Sequence, residues 1–171
     1  FHTPLWRSDG VIRPRLLEEL QAGLIEQRKL TLVSAPAGYG KTSLITSWLY
    51  SLPESTQQIW LSLEKSDNEP ARFLSYWAAA WNRVSDFALE DILELLDAPQ
   101  LPPFQNILNE IINALALLEE PATFVLDDYH LVTNSLVHEM LEYFLDHQPP
   151  QAHLVIICLL YTSDAADDLL C

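Results

Sequence analysis

Apolar positions along the chain recur in threes and fours over some stretches and alternate, or run together briefly, over others. In VIRPRLL, Val11 to Leu17, Pro14 is placed to open a helix, and Leu16, Leu17, Leu20, Leu24 and Ile25 keep helical spacing to about Gln27. Leu30 to Ser34 then reads as a buried strand. Lys41 to Tyr50 reads as a helix with Leu44, Ile45, Trp48 and Leu49 inward, stopped by Pro53. Gln58 to Leu63 alternates, with Ile59, Leu61 and Leu63 on one side and Trp60 on the other, which predicts a second strand. Asp67 and Asn68 are N-cap candidates for a helix that has Pro70 in its first turn. On that helix Phe73, Leu74, Trp77, Trp81 and Val84 share one face, a stripe we read as core packing rather than a ligand box.

From Asp86 to Pro103 the pattern weakens into a short acidic helix, Leu89 to Leu96, and a connector through Pro99, Pro102 and Pro103. Helical spacing returns at Phe104 to Leu118, Pro121 ends it, and Thr123 to Leu126 begins a third strand. Ser135 is the expected cap of a helix running to about His147, with Leu136, Val137, Met140, Leu141, Phe144 and Leu145 inward. Pro149 and Pro150 close it, and Leu154 to Ile157 begins a fourth strand. Strands separated by helices in this way describe an α/β domain.

Composition narrows the function. At 171 residues and 49% hydrophobic, the chain suggests one domain with a sizeable core. Acidic residues number 24 against 9 basic, a net charge of −15, so most of the surface repels a phosphodiester backbone and direct nucleic-acid binding by this segment is not expected. A nucleotide site is compatible with that charge, because it needs only local positive character and oriented amides. The longest apolar run near the C-terminus, Leu154 to Tyr161, is too short to cross a bilayer and no basic-then-apolar leader opens the chain, so no membrane association and a cytoplasmic location are expected. Cys158 and Cys171 lack metal-ligand spacing, in keeping with a reducing compartment. The chain begins at Phe1 rather than Met, so a start is expected to be missing.

The candidate chemistry lies in LTLVSAPAGYGKTSL, Leu30 to Leu44, where a strand pattern runs into a small-residue loop ending in Gly40-Lys41-Thr42 before a helix. The usual phosphate-binding loop is G-x-x-x-x-G-K-[ST]: glycines turn backbone N–H groups inward, the lysine reaches the terminal phosphates and the hydroxyl binds Mg²⁺. Ala35 stands at the first glycine position, but it is small, and Gly38 and Gly40 supply the freedom for positive φ. Ala35, Pro36, Ala37, Gly38, Tyr39, Gly40, Lys41, Thr42 and Ser43 are therefore the expected phosphate cradle, with the helix N-terminus behind it favouring an anion. Arg13 and Arg15 flank the first helix start and fit either a solvated position or one near the nucleotide.

The third strand ends in Asp127-Asp128, 86 residues after Lys41. Ligands of open α/β sheets sit beyond the carboxyl ends of the strands, so an acid there can meet Mg²⁺ together with Thr42. Asp127 is the expected metal-side residue, acting through water, and Asp128 is placed to orient or polarise the attacking water, with Lys41 completing the catalytic set. Tyr129, His130 and Asn134 lie in the next connection, and His130 is assigned no catalysis.

SAPAGYGKTSL, WLSLEKSDNEPARFLSYW and FVLDDYHLVTN with the later HLVII, in this order, resemble the ATPase core of large LuxR-type bacterial transcriptional activators of the kind that control the maltose regulon. The likeness runs from about Val11 to Ile157 and implies a signal-transduction ATPase of the STAND class. It implies an AAA-related P-loop NTPase fold, a three-layer sandwich with a parallel sheet whose fourth strand lies between the first and third. It also implies ATP, ADP and Mg²⁺ as ligands, an ADP-bound resting form, and self-association of the full-length protein with ATP. DNA would be bound only through a C-terminal helix-turn-helix outside these residues. By position, the family's phosphate loop falls on Ala35 to Thr42, its acids on Asp127 and Asp128, and an Arg-Pro-Arg element near the base on Arg13 to Arg15.

After HLVII such proteins continue with Ser or Thr and a sensor Arg, whereas Cys158 and Leu159 stand here. CLLYTSDAADDLLC resembles a translated sequencing-adaptor tail. Residues 1–157 are thus expected to be the N-terminal part of an NTPase domain, cut short after the fourth strand, and 158–171 a non-native tail. The leading reading is a regulatory nucleotide switch with slow hydrolysis. A nucleotide-dependent enzyme or remodelling ATPase, or a fragment without function, are the alternatives.

Overall fold

The computed structural model describes residues 4, 13–84, 89–96 and 102–160. Val11, Asp86, Pro99, Cys171 and most of the expected tail lie outside the described residues. The order is α1 (Pro14–Ile25), β1 (Leu30–Ala35), α2 (Lys41–Ser51), β2 (Gln57–Ser62), α3 (Pro70–Asn82), α4 (Glu90–Leu96), α5 (Phe104–Ala116), β3 (Ala122–Asp127), α6 (Ser135–His147) and β4 (Ala152–Leu159). The four strands are parallel in the order β1-β4-β3-β2, with β4 inserted between β1 and β3. This is the expected P-loop arrangement.

Strand alternation divides the core between the two faces of the sheet. Ile59, Leu61, Phe124, Leu126, Leu154 and Ile156 face α3, α5 and α6, while Trp60, Val125, Val155 and Ile157 face α1 and α2. The result is three layers. Both central strands are buried along nearly their whole length, which is why β3 and β4 read as continuous apolar runs. Trp77 and Trp81 are fully buried, their rings 4.9 and 6.0 Å from Phe144 and 6.1 and 4.8 Å from Phe124, so the aromatic stripe of α3 is core. Burying the Phe124 and Phe144 rings in this cluster is worth about 1.5–3 kcal/mol each.

Two expected helix starts move by a residue or two. Glu69 caps α3, its carboxylate accepting the Ala71 and Arg72 N–H groups, with Pro70 in the first turn as expected. Asp67 and Asn68 instead close a 3-10 turn, Lys65–Asn68, in which the Asp67 carboxylate accepts the Glu64 N–H at 2.7 Å. Asn134, rather than Ser135, caps α6 by accepting the Leu136 N–H at 2.9 Å. β4 runs beyond Ile157, Cys158 pairing with Ser34 and Leu159 with Ala35. Among the described residues no helix is long and apolar enough to cross a membrane.

Candidate nucleotide site

The carboxyl ends of β1 and β3 are brought near one another because β4 alone separates them. β1 ends at Ala35, and the loop to α2 turns on two left-handed glycines, Gly38 at φ +80° and Gly40 at φ +73°. A side chain would meet no atom at either position, so glycine is required there by backbone conformation and not by crowding. Gly40 immediately precedes Lys41, the first residue of α2, which leaves the unsatisfied N–H groups of that helix pointing into the loop.

Lys41 reaches back across the loop, its ammonium donating to the carbonyls of Ala35 at 2.8 Å and Pro36 at 3.1 Å. A cation so close to the helix start supplies the local positive character that the net charge of the chain does not. The Thr42 hydroxyl donates to Asp127 Oδ2 at 3.3 Å, joining the first turn of α2 to the end of β3. Asp127 Oδ1 accepts the Asp128 N–H at 3.0 Å. Burial, and next the charge of Asp128, push the Asp127 carboxyl above its usual range, against the hydrogen bonds from Asp128 and Thr42 and the charge of Lys41.

A hydroxyl and a carboxylate are hard oxygen donors suited to Mg²⁺, which retains waters and takes few ligands from protein. Among the described residues no cluster of three or more His, Cys, Asp or Glu forms, so a cation here would draw its remaining ligands from water and phosphate. Asp128 sits beyond the strand end with its side chain half exposed and its backbone left-handed. His130 Nδ1 lies 3.9 Å from Asp128 Oδ1.

Sequence-predicted positions separate at the first helix. Arg15 pairs with Glu19 at 3.1 Å on the exposed face of α1. Arg13 instead lines a cavity of about 400 Å³ that runs along β1 and is shared with Thr31, Ser34, Tyr39 and Lys41. Ala37, Gly38, Tyr39 and Ser43 are exposed around the loop, and Ala35 and Pro36 are partly covered. The residue that sequence reasoning missed is Asn68, read there as a cap, which hydrogen-bonds to the turn following Asp128.

The model of the AAA domain family matches residues 24–169. The chain belongs to the AAA domain family. Curated relatives of this AAA domain include the HTH-type transcriptional regulator MalT of Vibrio parahaemolyticus, 34% identical over 161 residues, which cover 94% of this chain and 17% of that protein. The regulator of the same name from Cronobacter sakazakii is 35% identical over 154 residues, 90% of this chain and 16% of that protein. The chain therefore spans about one sixth of the length of these relatives. Among solved structures, the Walker-type ATPase PABY2304 of Pyrococcus abyssi superposes with a TM-score of 0.60 at 16% identity, over 90% of this chain and 46% of that one. That likeness supports the P-loop fold of this AAA domain.

Proposed function

We propose that this AAA domain binds ATP and ADP and serves as the nucleotide-controlled module of a transcriptional activator, with slow hydrolysis returning it to the ADP form. The observation that carries the reading is the 3.3 Å contact between Thr42 and Asp127, which joins the phosphate loop to the acid at the end of β3. Similarity to regulators named MalT over nearly the whole chain supports the regulatory half of the reading.

In this account the amides of Pro36-flanking loop residues and of the first turn of α2 bind phosphate oxygens, and Lys41 exchanges its loop carbonyls for the terminal phosphates. Thr42 and Asp127 would hold Mg²⁺, which supplies charge neutralisation on the phosphates when bound. Asp128 accepts a hydrogen bond from the attacking water and orients it. An Asp at this position is one methylene shorter than a Glu and holds that water less closely, which suits a slow timer. Arg13, which lines the cavity that Lys41 also lines, is assigned to the base. The ATP form of the full-length protein self-associates, and DNA is contacted by a helix-turn-helix outside these residues.

The purified protein is expected to release ADP on denaturation. Asp128→Asn is expected to leave ATP affinity nearly intact while slowing turnover by about tenfold or more. Unchanged turnover in that variant refutes the role of Asp128, and a purified protein that neither carries nor binds nucleotide refutes the reading as a whole.

A further inference from the structure

Asp128 holds φ 59° and ψ 34°, in the left-handed region, and its side chain caps nothing. Asp is one of the few non-glycine residues that visits this region, at a cost below the roughly 1–2 kcal/mol of other L-residues, and its place there depends on the surrounding bonds. Besides the bonds within the turn, it is tied from outside through Asn68 at the end of the 3-10 segment after β2. Asn68 Oδ1 accepts the N–H groups of Thr133 at 2.6 Å and Asn134 at 2.9 Å, and the Thr133 hydroxyl at 3.2 Å. Its Nδ2 donates to the Leu131 carbonyl at 2.7 Å and to Lys65 at 3.1 Å. The Asn68 carbonyl accepts Asn134 Nδ2 at 2.8 Å, while Asn134 Oδ1 caps α6.

Leu131 closes the path, because its N–H donates to the Asp128 carbonyl at 3.0 Å. Asn68 is thus two hydrogen bonds from Asp128. Just after β2, Leu63 reaches Asp127, its N–H donating to the Asp127 carbonyl at 2.9 Å. Both acids are held from the connection that follows β2, 60 and 64 residues earlier in the chain. Asparagine suits the place because one planar amide presents both donor and acceptor faces to a loop whose backbone offers both.

We propose that Asn68 is a positioning residue for hydrolysis: by fixing the turn from Tyr129 to Asn134 it holds Asp128 left-handed and sets the direction of its carboxylate. The assignment rests on the ATPase reading above. Asn68 acts through Leu131.

The test is a double-mutant cycle in the full chain, reading ATP affinity by calorimetry and turnover by phosphate release. Asn68→Ala is expected to bind ATP within about threefold of wild type and to turn it over about tenfold more slowly or worse. Asn68→Asp keeps the acceptor for Thr133 and Asn134, loses the donor to Leu131, and is expected to fall between the two. If Asn68 acts through Asp128, adding Asn68→Ala to Asp128→Asn slows turnover no further. Additive slowing, or wild-type turnover in Asn68→Ala, overturns the assignment. Should Asn68→Ala fail to melt cooperatively, Asn68→Asp runs the same cycle with the same criteria. A wild-type chain that binds no ATP overturns the nucleotide reading itself and is distinguished by its own calorimetry.

Discussion

Replacing Asp127 with Asn should make the ligand-free protein more stable and the ligand-bound protein less so. The side chain is 7% exposed, and its carboxyl is pushed upward first by burial and then by the charge of Asp128. A raised carboxyl pKa means that the folded state binds the proton more tightly than the unfolded chain. The charged form therefore costs stability that accumulates as pH rises above the unfolded value near 3.8. Asn preserves an oxygen for the Asp128 N–H, and its amide can donate to the Thr42 hydroxyl, so the geometry survives while the charge is lost.

The variant should therefore melt above wild type at neutral pH, each kcal/mol gained being about 2–4 °C in a domain of this size. With Mg²⁺ and ATP the sign reverses. Ligand at a hundred times its Kd stabilises wild type by about 2.7 kcal/mol, and the variant lacks the carboxylate on which the metal-dependent part depends. Thermal melts with and without MgATP should therefore cross: the variant higher without ligand, wild type higher with it. A variant that melts several degrees below wild type without ligand would show that the carboxylate is structural. Equal MgATP shifts in both would remove Asp127 from the metal site.

His153 should make the fold sensitive to acid. It is 3% exposed, its Nδ1 faces the Arg28 carbonyl at 2.6 Å and so carries the proton, and Nε2 accepts from the Thr31 hydroxyl at 3.0 Å. Burial lowers its pKa below 6.5, so its contribution is complete above that value and is lost as pH falls toward the folded pKa. Melting temperatures taken across this range should decline in wild type and flatten in His153→Gln; an identical decline in both refutes the assignment. Gly40→Ala places a side chain in open space at φ +73° and should cost about 1–2 kcal/mol through backbone strain, read as a lower denaturant midpoint at unchanged slope. No loss would show that the loop relaxes freely.

Most of the architecture was legible because helical and alternating spacings are local signals. Phe73, Leu74, Trp77 and Trp81 marked the buried face of α3, and Ile59, Leu61 and Trp60 were assigned to opposite faces of β2 that the two clusters reproduce. The left-handed turn at Gly38 and Gly40 between β1 and α2 was equally local. Helix caps were harder. Asp67 and Asn68 are the stronger N-cap residues, but other contacts draw them away: Asp67 pairs with Arg72 at 3.0 Å, Asn68 is taken by the Leu131 to Asn134 turn, and the weaker Glu69 is left to cap. Nothing in the local pattern reveals a bond between residues 63 to 66 positions apart. Arg13 and Arg15 likewise separate only on folding, since Arg15 pairs with Glu19 while Arg13 is itself at the rim of the cavity that Glu19 and Lys41 also line.

The loop from Ala35 to Thr42 is expected to hold nucleotide phosphates through Lys41. Calorimetric titration of ATP with Mg²⁺ into wild type and Lys41→Ala tests it most directly. Lys41 has its ammonium poised on the Ala35 and Pro36 carbonyls, and charge-assisted bonds to phosphate are worth about 1.5–3 kcal/mol, so the variant should bind at least about tenfold more weakly. Equal affinity in the two proteins would contradict the account.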